Sequence, residues 1–190
     1  MRTNKIWAFA IMGLMALSCG PKQNTDSNEA AEEANEDKFQ SRTTEKDADF
    51  VAEAVASNYA EIELAQLATQ KSNDAEIKQV AQFLENEHTK VLTELKDVAG
   101  KRVISIPSNA DDGARRKIED LTKEEDVKDF NKQWCKEMID KHEASIEKFE
   151  TQMKETEDEE LKSWISQTLP HLREHLDRVK ACHDRIAQAK

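Results

Sequence analysis

Glycine and proline are scarce in this chain, with four glycines and three prolines in 190 residues. After Pro21 neither occurs before Gly100, and none lies between Gly113 and Pro170. A sequence so poor in helix breakers has few places to turn, and long helices are the natural consequence. An excess of basic charge is missing as well. The net charge is −11, with Lys and Arg mixed among acidic residues in every segment, which argues against a nucleic-acid surface, because phosphate binding needs clustered cations. The imbalance mainly favours solubility. No catalytic nucleophile, cofactor loop or substrate channel stands out, so no reaction is named by pattern. The length suits one medium domain with flanks rather than two full domains.

Nor is there an apolar run of the about 20 residues that spanning a bilayer takes. The longest, Ile6 to Leu17, follows Arg2 and Lys5 and ends at Ser18-Cys19-Gly20, the order of a secretory signal: charged region, apolar region, small-residue cleavage site. The junction cysteine, preceded by Leu17 and Ser18, resembles the lipobox of bacterial lipoproteins, although Ala16 stands where Leu is usual. Residues 1–18 are therefore expected to be a lipoprotein signal peptide and Cys19 the lipid-anchored residue, which makes the membrane one partner. Residues 19–46 are acidic and polar, with Phe39 as the only large apolar side chain, and are expected to form a disordered tether. Such a coil cannot bury enough surface to offset its ordering entropy, and it would hold a domain on the order of 30 Å from the head groups. Once Cys19 is lipidated, Cys135 and Cys182 remain as a pair in an oxidising compartment. They are expected either to form a disulfide or to pack as two buried thiols.

Residues 47–188 carry apolar positions at helical spacing in four stretches. These are Phe50, Ala54, Leu64 and Ala68; Ile77, Ala81, Leu84, Val91 and Leu95; Val127, Trp134, Met138, Ile146 and Phe149; and Leu161, Ile165, Leu172, Val179 and Ile186. Asn73-x-x-Glu76, Thr122-x-x-Glu125 and Thr156-x-x-Glu159 read as capping boxes, and Gly100 as the residue that ends the second helix. The fold expected is all-α, a four-helix bundle of two antiparallel hairpins. The connection between the second and third helices, Lys101 to Leu121, contains an extended piece, Val103 to Pro107, and a short helix, Ala114 to Leu121. It is long enough for a ferritin-like crossover as well as a plain up-down arrangement.

On helical wheels one polar residue intrudes on each apolar stripe: Glu61, His88, His142 and His175. A lone ionised carboxylate in a bundle core costs several kcal/mol, so Glu61 needs a partner or a proton. Three imidazoles and one carboxylate make a competent first shell for zinc, copper or iron. They equally make a metal-free Glu/His hydrogen-bond network, a reading that an inward Asn131 favours. His171, four residues before His175, lies at the stripe's edge and is an additional candidate ligand. Pro170, inside the fourth helix, is expected to kink it. Trp134, Met138 and Met153 read as core packing.

The stretches Asp49-Phe50-Val51 through Glu61-Ile62-Glu63-Leu64-Ala65, Glu87-His88-Thr89-Lys90, Met138 to His142 and Leu169-Pro170-His171-Leu172-Arg173-Glu174-His175-Leu176 resemble a bacterial family. Its members are labelled predicted outer membrane proteins, the domain of unknown function 4142. The resemblance runs from about residue 47 to 187. It implies a ferritin-like four-helix fold and an envelope location, at the outer membrane facing the periplasm, and it implies no established activity. Ferritin-like di-iron sites use two Glu-x-x-His pairs and two further carboxylates. Here only Glu85-x-x-His88 fits, because Ile139 and Leu172 stand three before His142 and His175. A single ion suits the remainder better, with Glu85 as another candidate ligand. The expectation is thus an envelope lipoprotein binding one transition metal for metal handling or stress response. The alternative is a structural or interaction lipoprotein with a metal-free polar network and an envelope protein partner.

Overall fold

The computed structural model describes residues 26–39 and 41–188. The expected signal segment, Cys19 and the start of the expected tether lie outside the described residues. Six helices are found there: α1 (Ser27–Glu36), α2 (Arg42–Lys71), α3 (Ala75–Arg102), α4 (Asp112–Lys123), α5 (Val127–Glu155) and α6 (Glu159–Gln188). No strand occurs among the described residues, and no helix there is long and apolar enough to cross a membrane.

Three-residue links, 72–74 and 156–158, fold α3 back on α2 and α6 back on α5, and these two pairs make the most extensive contacts. α2 also packs on α5 and α3 on α6. The caps differ from the expected boxes, for in each case an aspartate performs the task. Asp74 accepts from the backbone N–H groups of Glu76 and Ile77, Asp126 from those of Lys128 and Asp129, and Asp158 from that of Leu161. A charged acceptor also complements the positive end of the helix dipole. Thr122 instead lies inside α4, bonded to the Ile118 carbonyl. Thr156 ends α5, its hydroxyl donating to Asp47 Oδ2 at 3.0 Å and accepting from the Asp158 N–H.

Gly100 does not end its helix. α3 runs on to Arg102, and the left-handed residue is Val103, with φ 57°. A β-branched residue is strained there. The geometry lets the Ile104 N–H reach the Ala99 carbonyl at 3.0 Å, and the next turn of chain is clamped from outside.

That clamp corrects the expectation of a wholly disordered tether. Ser27–Glu36 is helical and packs on α2, and α2 itself starts at Arg42, within the segment assigned to the tether. What composition alone missed is directional bonding. The buried Asn35 donates through Nδ2 to the Ser105 carbonyl at 3.0 Å and accepts the Ser105 N–H at 2.7 Å. Asp26 accepts from the N–H groups of both Asn28 and Asp112, capping α1 and α4 with one carboxylate. These contacts supply on the order of 1 kcal/mol each, enough to order a segment whose apolar content is small.

The core is divided. At one level Phe50, Val55, Leu95, Phe149, Leu161 and Ile165 pack together; at the other, Leu64, Ile77, Leu84, Trp134, Met138 and Val179 do. Along α2 and α6 the first cluster precedes the second, and along α3 and α5 the order reverses, as antiparallel pairs require. Between the two clusters, on each of the four long helices, lies one of the polar intruders. Trp134, fully buried, ties α5 to α2 by donating from Nε1 to the Leu64 carbonyl at 2.9 Å.

A candidate metal centre between the two halves of the core

Glu61, His88, His142 and His175 are each no more than 2% exposed and come from α2, α3, α5 and α6 respectively. They occupy the layer where the apolar clusters stop. The three imidazole centroids are 5.1 to 5.4 Å apart, and one ring nitrogen from each lies within 4.8 Å of the others. Three buried histidines are therefore close enough to hold a metal ion. Glu61 Oε2 lies 3.1 Å from His88 Nε2 and 3.4 Å from His142 Nε2.

The hydrogen-bond partners decide the tautomers. His142 Nδ1 is 2.7 Å from the Met138 carbonyl, which can only accept, so the proton is on Nδ1 and Nε2 carries a lone pair. Asn58 donates through Nδ2 to the Ala54 carbonyl at 2.8 Å, which turns its Oδ1 toward His88 Nδ1, 3.0 Å away. His88 is thereby also protonated on Nδ1. The two Nε2 atoms face each other across 3.4 Å. Glu61 Oε1 accepts from the Ser57 hydroxyl at 3.0 Å, whereas Oε2 has no hydrogen-bond partner. Neither nitrogen of His175 has one either.

Charge state follows from the same surroundings. Burial would raise the Glu61 carboxyl, but His88 and His142 outweigh it and hold the group well below the usual carboxylate range. Burial pushes His142 down, opposed in part by Glu61. His175 is pushed down to about 3 by burial, with His88 and His142 adding to the effect. An ionised Glu61, with burial disfavouring the protonated forms of His142 and His175, matches the state in which such residues bind metals.

Two of the candidate ligands do not join this layer. His171 is exposed, because the step of four residues from His175 carries it past the stripe's edge. Glu85 is half-buried and accepts from Gln66 Nε2 at 2.9 Å on the outer side of α3. Cys135 and Cys182 do come together, at the level of Trp134 and Val179, but as free, fully buried thiols in contact rather than as a disulfide. Asn131 is buried, as its position implied. The residues missed by pattern are Asn58 and Ser57, which orient His88 and Glu61. Asn58 stands three before Glu61 on the same helical face, and that spacing was the available signal.

A cavity of about 290 Å³ opens between α2 and α5 and reaches Glu61 and His88. Ser57, Lys141, Ser145 and Lys148 are among its walls. It does not touch His142 or His175.

The class defined by these features is an all-helical protein with a buried, histidine-rich centre. The chain belongs to the family described as domain of unknown function DUF4142, whose model matches residues 31–182. That match includes α1 from Ala31 on. No curated protein and no solved structure matches the chain.

Proposed function

We propose that this chain is an envelope lipoprotein whose helices form a ferritin-like four-helix bundle holding one transition metal, in metal handling or stress response. Glu61, His88, His142 and His175 are the ligands. One observation carries the reading: three atoms able to bind a cation converge, and with both imidazoles neutral and protonated on Nδ1 no hydrogen lies between them. Glu61 Oε2, His88 Nε2 and His142 Nε2 are 3.1, 3.4 and 3.4 Å apart. Ligands at roughly 2.0 to 2.1 Å in tetrahedral geometry stand about 3.3 Å from one another, so the triangle has the size of one face of such a shell. Without a cation, three lone-pair atoms in a dry core would repel. The unpartnered His175 approaches as the fourth ligand, and the donor set suits zinc, copper or iron. The envelope placement is supported by the signal segment and the Leu17-Ser18-Cys19 junction.

The 3.1 Å contact between Glu61 and His88 also fits a carboxylate paired with an imidazolium, which is the metal-free reading of a structural or interaction lipoprotein. Elemental analysis of the purified chain separates the two. The metal reading expects about one equivalent of zinc, copper or iron and a melting temperature lowered by chelator, since a ligand bound only to the folded state stabilises it. A metal-free chain that also fails to take up all three metals on titration would overturn it.

A further inference from the structure

The two faces of the candidate centre differ. Along the bundle axis the apolar clusters seal it. On the side of α3 and α6 the Phe83 ring stands edge-on to His175, with centroids 5.4 Å apart, and the Arg178 guanidinium lies 4.2 Å from the Phe83 centroid. Aromatic packing capped by a cation thus covers that face. On the side of α2 and α5 the cavity of about 290 Å³ reaches Glu61 and His88. A water molecule takes up about 30 Å³, so this space admits an ion still carrying waters.

Charge separates the same two faces. The cavity is lined by Glu53, Glu61 and Asp111 against Lys141 and Lys148. A groove that meets it at Glu53, Ala144 and Lys148 adds Asp49, Glu147 and Glu155 against Lys46. Both balances are negative, which draws in cations, whereas the opposite face presents Arg178. Two oxygens of the lining residues, Asn28 Oδ1 and Glu61 Oε2, are buried without a hydrogen-bond partner. Each can replace a water on an incoming ion.

Asn28 belongs to α1, which gives the cavity a wall from outside the four long helices. That wall is lightly held: Ala31 and Asn35 are the only buried residues of α1, and its attachment relies on the bonds of Asn35 to Ser105 and of Asp26 to the Asp112 N–H. The last of these lies beside Asp111, another lining residue.

We infer that the cavity between α2 and α5 is the route by which the metal ion exchanges with the centre, and that α1 is its movable wall. The inference rests on the metal-binding reading and deepens it, since it makes access to the ion a property of α1. α1 is also the first described helix after Cys19, so the wall that governs exchange is the one nearest the expected anchor.

A route sets the barrier in both directions, so altering it changes uptake and release alike and leaves affinity as it was. The test loads the full chain with copper(II), the tightest-binding of the common divalent ions, and follows its transfer to a chelator present at a concentration where the rate has levelled off. Equilibrium competition gives the affinity. Ser145→Leu, which narrows the cavity one turn beyond His142, should slow uptake and release several-fold with affinity unchanged. Asn35→Ala, which loosens α1, should speed both several-fold, again with affinity unchanged. Where Ser145→Leu folds poorly or binds copper more weakly, Ala144→Leu at the exposed rim decides by the same criterion. Wild-type exchange rates in the obstructed variant, or a slower rate matched by a changed affinity in both, would overturn the route and leave metal binding standing. Wild-type rates in Asn35→Ala would overturn the role of α1. Failure to bind copper, zinc or iron at all would overturn the metal reading together with the route.

Discussion

Asn58 offers the sharpest test of the candidate centre, because it touches no ion itself. Its Nδ2 is committed to the Ala54 carbonyl, so its Oδ1 holds the proton of His88 on Nδ1 and aims Nε2 at the centre. Asn58→Ala removes that acceptor and frees the imidazole to shift its proton to Nε2 and turn. Residues that orient a metal-bound histidine are typically worth about 10- to 100-fold in affinity, or roughly 1.4 to 2.7 kcal/mol. Metal-free stability should also fall, by about 1 to 3 kcal/mol, for a buried N–H left unpaired. Asn58→Asp is expected to behave differently. It keeps the acceptor and makes it charged, so metal affinity should be at least that of the wild type. The metal-free form is weakened by a second buried carboxylate one turn from Glu61. Competition against a chromophoric chelator gives the affinities, and urea denaturation of the metal-free protein gives the stabilities. Wild-type affinity in both variants, or equal weakening in both, would refute ligation through His88 Nε2.

His142→Ala should abolish the effect of chelator on the melting temperature, whereas a surface replacement such as His171→Ala should leave it unchanged; chelator effects of equal size in the two variants would sink the assignment of ligands. Arg102 holds the Asp158 carboxyl down at about 2, against a usual 3.8, and the pair joins the end of α3 to the start of α6 through two hydrogen bonds. Because the folded-state value is depressed, its stabilisation is present above about pH 4 and is lost as pH falls through about 2. Asp158→Asn should therefore cost roughly 1 to 2 kcal/mol at neutral pH after allowance for solvent screening, and flatten that acid limb in urea titrations. Cys135 and Cys182 are in contact as thiols, so an oxidant should close a bridge around 46 intervening residues, worth about 4 kcal/mol by loop entropy; an oxidised chain melting no higher than the reduced one would contradict their placement. Asn35→Ala breaks both bonds to Ser105 and should expose α1 to proteolysis without altering metal affinity, with unchanged cleavage refuting the clamp.

Much of this architecture was legible in the sequence because it depends on period and composition. The scarcity of glycine and proline, with four apolar stripes, fixed four long helices, and the short segments near Asn73 and Thr156 fixed two hairpins. The polar intruders were found for the same reason: a stripe of about 3.6 residues per turn makes a misplaced Glu or His visible. Caps were less legible, since Asp74, Asp126 and Asp158 compete with neighbouring Asn and Thr and the outcome is set by where the first turn starts. α1 was illegible, because its order comes from Asn35 and Asp26 binding backbone groups 70 and 86 residues away, and no local pattern reports such partners.

The sequence by itself determined that the side chains at the centre of each stripe face inward, since that follows from helical period. Only the tertiary structure decided that they meet. Convergence depends on the docking register of one hairpin on the other, and a shift of a single turn, about 5.4 Å, would have separated Glu61 and His88 from His142 and His175. The tertiary structure likewise chose the tautomers, through the carbonyl of Met138 and the amide of Asn58. It turned His171 and Glu85 away from the centre because a few tens of degrees at the edge of a stripe are settled by packing, not by period.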